Sequence, residues 1–314
     1  MKFGIQHPNF TYDGKGAEIS ESLRKVTSAA ERLGYDSFWV MDHFHQIGMV
    51  GDPSEPMFEG WTTLGVLAGF TSKIKLGTLV TGNIYRYPSI LAKIGATLDI
   101  LSKGRLFMGI GAGWNEEESK AYGVPFPPPT KERFRRLEEA VQIIRSMWTE
   151  ERTTFNGQFY KIQGAYCNPK PIQKPHPPIM IGGSGERETL KLVAKYADAC
   201  NLFGSPATIK RKLDVLREHC KTVGRDYNSI LKTKLGVVIM DNDKASLNKR
   251  LEQRYKNVSP AMLTEFATSG TPEEVRRQVE SFRETGLEYF ITSFEWNREL
   301  QSVEQFANEV MKNM

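Results

Sequence analysis

Short apolar segments alternate with longer amphipathic ones along nearly the whole chain, and this alternation limits the fold more than any single motif. Segments 2–6, 36–41, 73–80, 106–110, 178–181, 199–203, 231–240 and 289–293 read as strands. Helical patterns lie at 18–33, 60–71, 88–102 and about 131–148, and begin again near 186 and 206. Gly34 marks the end of the first helix and Pro88 the start of the third. Eight strands separated by helices predict an α/β fold, a closed parallel TIM (β/α)8 barrel. The rival, an open doubly wound sheet, carries a glycine-rich fingerprint after its first strand, where this chain has Gln6-His-Pro-Asn-Phe10. No composition shift marks a boundary, so residues 1–314 are expected to form one barrel domain. Insertions fall near 150–170, where Asn156-Gly157 signals a hairpin, and near 243–270.

The 314 residues include 17 Phe and 5 Trp, enough apolar volume for such a core. The net charge of +5 comes from interleaved signs, as in Arg133, Arg135, Arg136, Glu138 and Glu139, the pattern of a solvated helix face. Nothing resembles a basic patch with aromatic platforms, so no nucleic-acid partner is expected. No apolar run approaches the ~18 residues of a membrane span, and the strand-like start leaves no room for a signal peptide. Cys167, Cys200 and Cys220 are few and widely spaced, which predicts reduced thiols in a cytoplasmic protein without a bound metal.

The strand ends carry the chemistry. Phe38-Trp-Val-Met-Asp-His-Phe44 finishes in an acid and an imidazole, and His43 can exchange a proton near neutrality because imidazole titrates near ~6.5. Neighbours on a strand point to opposite sides, so only one of Asp42 and His43 can face the barrel axis while the other braces the loop. His7 and His45 compete for the role; His176, between two prolines, reads as structural. Gly109, Gly111 and Gly113 strip side chains from the end of the fourth strand, where something flat could lie, with Ala112 between them. Gly182-Gly-Ser-Gly185, after an apolar strand and before a helix, reads as a phosphate cradle of backbone N–H groups. Glu116-Glu-Glu118 reads as a helix-start turn that complements the dipole.

Taken together, Trp39–Phe44, Glu59–Leu64, Leu76–Pro88, Gly109–Glu117 and Pro178–Gly185 resemble the bacterial luciferase-like flavin and deazaflavin oxidoreductases, nearly end to end. Leu79-Val-Thr-Gly-Asn83 with Tyr122-Gly-Val-Pro-Phe-Pro-Pro128 resembles the branch that uses the deazaflavin coenzyme F420. The resemblance implies a ring held over strands three and four, touching Asp42, His43, Leu79, Val80, Thr81, Asn83, Gly111, Ala112 and Gly113. It implies a ribityl phosphate on Gly182, Gly183, Ser184 and Gly185. His43 takes the place of a histidine near the reactive C5 atom, with Asp42 beside it, and Leu79-Val80 that of a non-prolyl cis peptide. The sugar-phosphate dehydrogenases of this family carry a catalytic glutamate where this chain has Trp114, which better suits an apolar or aromatic acceptor. The expected function is hydride transfer between F420 and a small organic substrate. The alternatives are an FMN-dependent monooxygenase supplied by a separate flavin reductase, and a flavin-binding protein without turnover. The family also implies a homodimer through the early helices.

Overall fold

The computed structural model describes residues 1–12, 17–256, 258–295 and 298–314. The first half runs β1 (Lys2–His7), α1 (Ala17–Leu33), β2 (Ser37–Val40), α2 (Gly60–Phe70), β3 (Lys75–Thr78), β4 (Thr81–Gly82), α3 (Pro88–Leu101), β5 (Met108–Gly111), α4 (Glu116–Ala121) and α5 (Thr130–Thr149). The second half runs β6 (Thr153–Asn156), β7 (Lys161–Ala165), β8 (Ile179–Gly182), α6 (Thr189–Tyr196), β9 (Ala199–Leu202), α7 (Pro206–Val223) and β10 (Leu231–Met240). It ends with α8 (Lys244–Tyr255), α9 (Pro260–Phe266), β11 (Ala267–Gly270), α10 (Pro272–Glu284), β12 (Tyr289–Ser293) and α11 (Glu299–Glu309).

The parallel strands follow the order β3-β2-β1-β12-β10-β9-β8-β5-β4. A parallel bridge between Leu76 and Leu106 brings the two ends together, with the Leu76 N–H on the Arg105 carbonyl and the Phe107 N–H on the Leu76 carbonyl, both at 2.9 Å. The chain is therefore the expected α/β barrel. Strand alternation sorts its side chains into two layers. Trp39, Phe107, Met180, Ala199, Tyr289 and Ile291 fill the interior. Phe38, Val40, Met108, Ile179, Ile181 and Phe290 face the helices.

Most boundaries fall within a residue or two of the pattern in the sequence, and three departures have more to show. The third strand stops at Thr78, before the cis Leu79-Val80 peptide, and pairing resumes at Thr81 and Gly82 against Ile110 and Gly111. In the hairpin, β7 begins only at Lys161, because the Glu139 carboxylate accepts the N–H groups of Gln158, Phe159 and Tyr160. The helix expected from about 186 begins at Thr189: residues 186–188 form a turn pinned by His219 on the Glu186 carbonyl and Arg211 on its carboxylate. The segment 243–270, whose residue 257 lies outside the described residues, carries α8, α9 and β11. β11 pairs with the last four residues of β10 beside the barrel.

Candidate active site

His43 lies just past β2, in the loop at the C-terminal rim. Its Nδ1 is 2.7 Å from Glu118 Oε2, and Nε2 has no hydrogen-bond partner among the described residues. The Glu118 side chain is fully buried although its neighbours Glu116 and Glu117 are exposed. It also accepts from the Tyr85 hydroxyl, from the Phe44 N–H at 2.5 Å and from the His45 N–H at 3.4 Å. Burial opposes its ionisation, but the hydrogen bonds from His43 and Tyr85, the His43 charge and the Phe44 N–H outweigh burial and hold the carboxyl at about 2. Asn115 caps α4 by accepting the Glu118 N–H, which fixes the helix that carries the glutamate. Glu118 is thus more than the dipole-complementing turn residue read from the acidic triplet.

Asp42 is placed differently. Its side chain is fully buried, and its two oxygens accept from the Arg86 terminal nitrogens at 2.6 and 2.9 Å. Arg86 also donates to Glu59, whose carboxylate caps α2 through the Trp61 and Thr62 N–H groups. Burial pushes the Asp42 carboxyl up against the pull of Arg86, while the two carboxylates hold the guanidinium above its ordinary range despite burial. The forked contact favours the ionic form of the pair. With both oxygens engaged, Asp42 takes the loop-bracing role that strand alternation leaves to one of this pair, beside the loop that presents His43.

The glycines of β5 and β8 make room for a side chain of the same protein. A Cβ would stand 3.0 Å from Val80 Cγ2 at Gly111 and 2.7 Å from Val80 Cγ1 at Gly182, and at Gly109 it would collide with the Thr78 carbonyl. The space read as a bed for a flat group beside these glycines thus holds Val80, carried there by the cis peptide. At Gly113 the neighbour is Ile84; Ala112 is half-buried. Thr81 turns away into a buried network with Trp61 Nε1 at 3.0 Å and Thr78 Oγ1 at 2.8 Å. Asn83 donates to the Tyr160 hydroxyl at 3.2 Å, and its buried Oδ1 has no partner among the described residues.

On the late loops, Gly183 has φ +121°, a backbone state that side chains rarely adopt, and donates to the Asn201 carbonyl at 3.3 Å. Ser184 Oγ accepts the Phe203 N–H at 2.9 Å, tying this loop to the end of β9. The N–H groups of Ser184 and Gly185 have no partner among the described residues.

Of the other candidate histidines, His7 has both ring nitrogens engaged, whereas His45 and His176 are held among the described residues through Nδ1 alone. His7 is fully buried, with Nδ1 on Glu299 at 2.8 Å and Nε2 on the Tyr12 hydroxyl at 3.0 Å. His45 and His176 meet the carbonyls of Gln46 and Pro177. An exposed aromatic side chain stands beside His43: Trp114, 56% exposed, lies edge-on to the imidazole at 5.8 Å, and Tyr122 packs on the neighbouring Phe44. All three cysteines are free and buried, and burial pushes the Cys200 thiol up to about 12. No cluster of metal-ligating side chains occurs among the described residues. Sequence reasoning missed Glu118, Tyr85 and Arg86.

The luciferase-like monooxygenase family model matches residues 1–259. An F420-dependent glucose-6-phosphate dehydrogenase of Segniliparus rotundus is 30% identical over 92% of this chain and 92% of its own. Two solved structures share the fold. An F420-dependent tetrahydromethanopterin reductase from Methanopyrus kandleri is 20% identical with TM-score 0.81, covering 99% of both chains. An EDTA monooxygenase from Chelativorans sp. BNC1 is 17% identical with TM-score 0.83, covering 100% of this chain and 94% of its own. The family model covers well over half of the chain, and the chain belongs to the luciferase-like monooxygenase family.

Proposed function

We propose that this protein is an oxidoreductase that moves a hydride between the deazaflavin coenzyme F420 and a small organic substrate. The observation that carries the reading is His43, braced by Glu118 with Nε2 unpartnered beside the exposed Trp114. The relative from Segniliparus rotundus, named as F420-dependent and matched over nearly its whole length, supports the choice of coenzyme. The residues present fit such a group: the unpartnered Asn83 Oδ1 can accept from a ring N–H, and the free N–H groups of Ser184 and Gly185 can meet a phosphate. Asn83 and the Leu79-Val80 bulge, which fills the space beside Gly111, would hold the ring, with Gly182–Gly185 for the phosphate. Bound there, the deazaflavin would supply a two-electron carrier. His43 would hold or release the substrate proton, and Trp114 and Tyr122 would shield the reacting atoms from water.

Trp114 stands where sugar-phosphate dehydrogenases of the resemblance carry a glutamate, and the aromatic wall suits an apolar or aromatic carbonyl or alcohol. The family name favours a second reading, an FMN-dependent monooxygenase fed by a separate reductase, for which the same loops would serve. We place the whole chain as one unit in the cytoplasm; no described helix is long and apolar enough to cross a membrane. A homodimer through α2 suits the exposed Val66 and the open space over Gly65 and Gly69.

His43→Ala tests the assignment. Acid–base groups contribute about 10²–10⁴-fold, so the variant should bind F420 as the parent does and lose turnover by that factor. Normal turnover with normal binding would make His43 structural and remove the reading.

A further inference from the structure

We propose that Glu118 is a positioning residue that fixes the tautomer of His43, so that the neutral imidazole carries its proton on Nδ1 and turns a bare Nε2 toward the substrate. The reaction in which this matters rests on the reading above; the tautomer stands on the geometry of the protein alone.

Four groups converge on the Glu118 carboxylate. Oε1 takes the Phe44 and His45 N–H groups, and Oε2 takes His43 Nδ1 and the Tyr85 hydroxyl. Two of the four are backbone amides, which can only donate. Burial and the bond to Glu118 push the Tyr85 phenol above its ordinary range, so it too stays protonated and donates. A carboxylate at the centre of such a set is an acceptor, and Nδ1 must be the protonated nitrogen. The second buried histidine–glutamate pair shows the contrast: both ring nitrogens of His7 are taken, by Glu299 and Tyr12, leaving none for chemistry.

The consequence is directional. In alcohol oxidation, Nε2 would take the hydroxyl proton while the carbonyl forms, the bound deazaflavin supplying the acceptor for the hydride of the C–H bond. The resulting imidazolium is paired with Glu118. In carbonyl reduction the Nε2–H of the imidazolium would return its proton to the oxygen, the reduced coenzyme supplying the hydride to the carbonyl carbon. With the other tautomer, Nε2 is already protonated in the neutral ring and cannot accept the hydroxyl proton.

The test uses the whole, cofactor-free chain labelled with ¹⁵N, and reads the imidazole nitrogens by NMR at alkaline pH, with His43→Gln for assignment. The parent should show His43 protonated at Nδ1 and bare at Nε2. In Glu118→Gln, the amide oxygen can stay on the Phe44 and His45 N–H groups while its NH₂ faces Tyr85 and His43. Nδ1 must then accept, and the proton should move to Nε2 while the His7 signals stay in place. Coenzyme affinity should hold while kcat falls, by analogy with the triad carboxylate whose loss gives the wrong tautomer at a cost of about 10⁴-fold. A parent His43 with bare Nδ1 overturns the proposal, whatever the variant does. So does a variant in which Nδ1 keeps its proton. If the parent shows the expected tautomer but gives no hydride transfer with F420 and any carbonyl or alcohol offered, the functional reading fails and the role of Glu118 stands.

Discussion

A buried charge must be paired, neutralised or tolerated at a cost, and this protein does all three within one barrel. Glu118 is ionised and surrounded by donors, Asp42 is matched by Arg86, and Lys234 has no carboxylate in contact among the described residues. Lys234 is 1% exposed on the outer face of β10, with Nζ 3.8 Å from the Phe282 ring centroid and 5.0 Å from that of Phe290. Burial pushes its ammonium down to about 7, against a weak upward pull from Glu265. The unfolded lysine keeps its proton up to about 10.4, so between pH 7 and that value the unfolded state binds more protons. Stability therefore rises with pH across this window, and below about 7 the full penalty of burying the ammonium is present. Denaturant titrations from pH 7 to 10 should show the rise. Lys234→Met, which keeps an unbranched chain against the two rings, should flatten it and stabilise the protein at pH 7. A tenfold change in proton affinity is worth about 1.4 kcal/mol, so the gain should be on the order of a few kcal/mol. A flat profile in the parent would mean that Lys234 reaches solvent in the folded state.

Strands and helices show which part of the architecture is local. Segment 231–240 and segment 289–293 are legible to the residue, because the signal for extended backbone lies within each segment. The hairpin turn at Asn156-Gly157 is legible for the same reason, and the delay of β7 is not, because its cause is Glu139 on a different element. Nor does local sequence distinguish Glu118 from Glu116 and Glu117. Only the place of α4 beside the His43 loop turns the third acid inward, though the Asn115 cap and Tyr122 four residues beyond Glu118 mark that side of the helix. The glycines of β5 and β8 are legible as a gap, while what fills it depends on a bulge elsewhere in the chain. That coupling is measurable. Gly182→Ala puts a methyl against Val80 and should cost about 1–3 kcal/mol. In a Val80→Ala background the remaining close atom of residue 80 is its Cβ at 3.4 Å, an ordinary contact. The double variant should then be more stable than the sum of the two single losses by at least ~0.5 kcal/mol in denaturant unfolding. Strict additivity would show that Val80 does not occupy the gap.

At the scale of the whole molecule, the barrel brings together residues far apart in the chain. His43, Tyr85 and Trp114 come from three successive loops at one rim, Glu118 from the short helix α4 that follows the third, and Ser184 and Gly185 from a further loop. The groups proposed for proton handling and for anion binding thus share the C-terminal face, where barrel enzymes place their sites, and a bound coenzyme would connect them. The direct measurement is to mix the protein with reduced F420 or reduced FMN, under nitrogen and under air, with a series of apolar and aromatic carbonyl compounds. A hydride-transfer enzyme predicts reoxidation of F420 under nitrogen that depends on the carbonyl compound and disappears in His43→Ala. Turnover that occurs only with reduced FMN, requires air and incorporates oxygen into the substrate would contradict it.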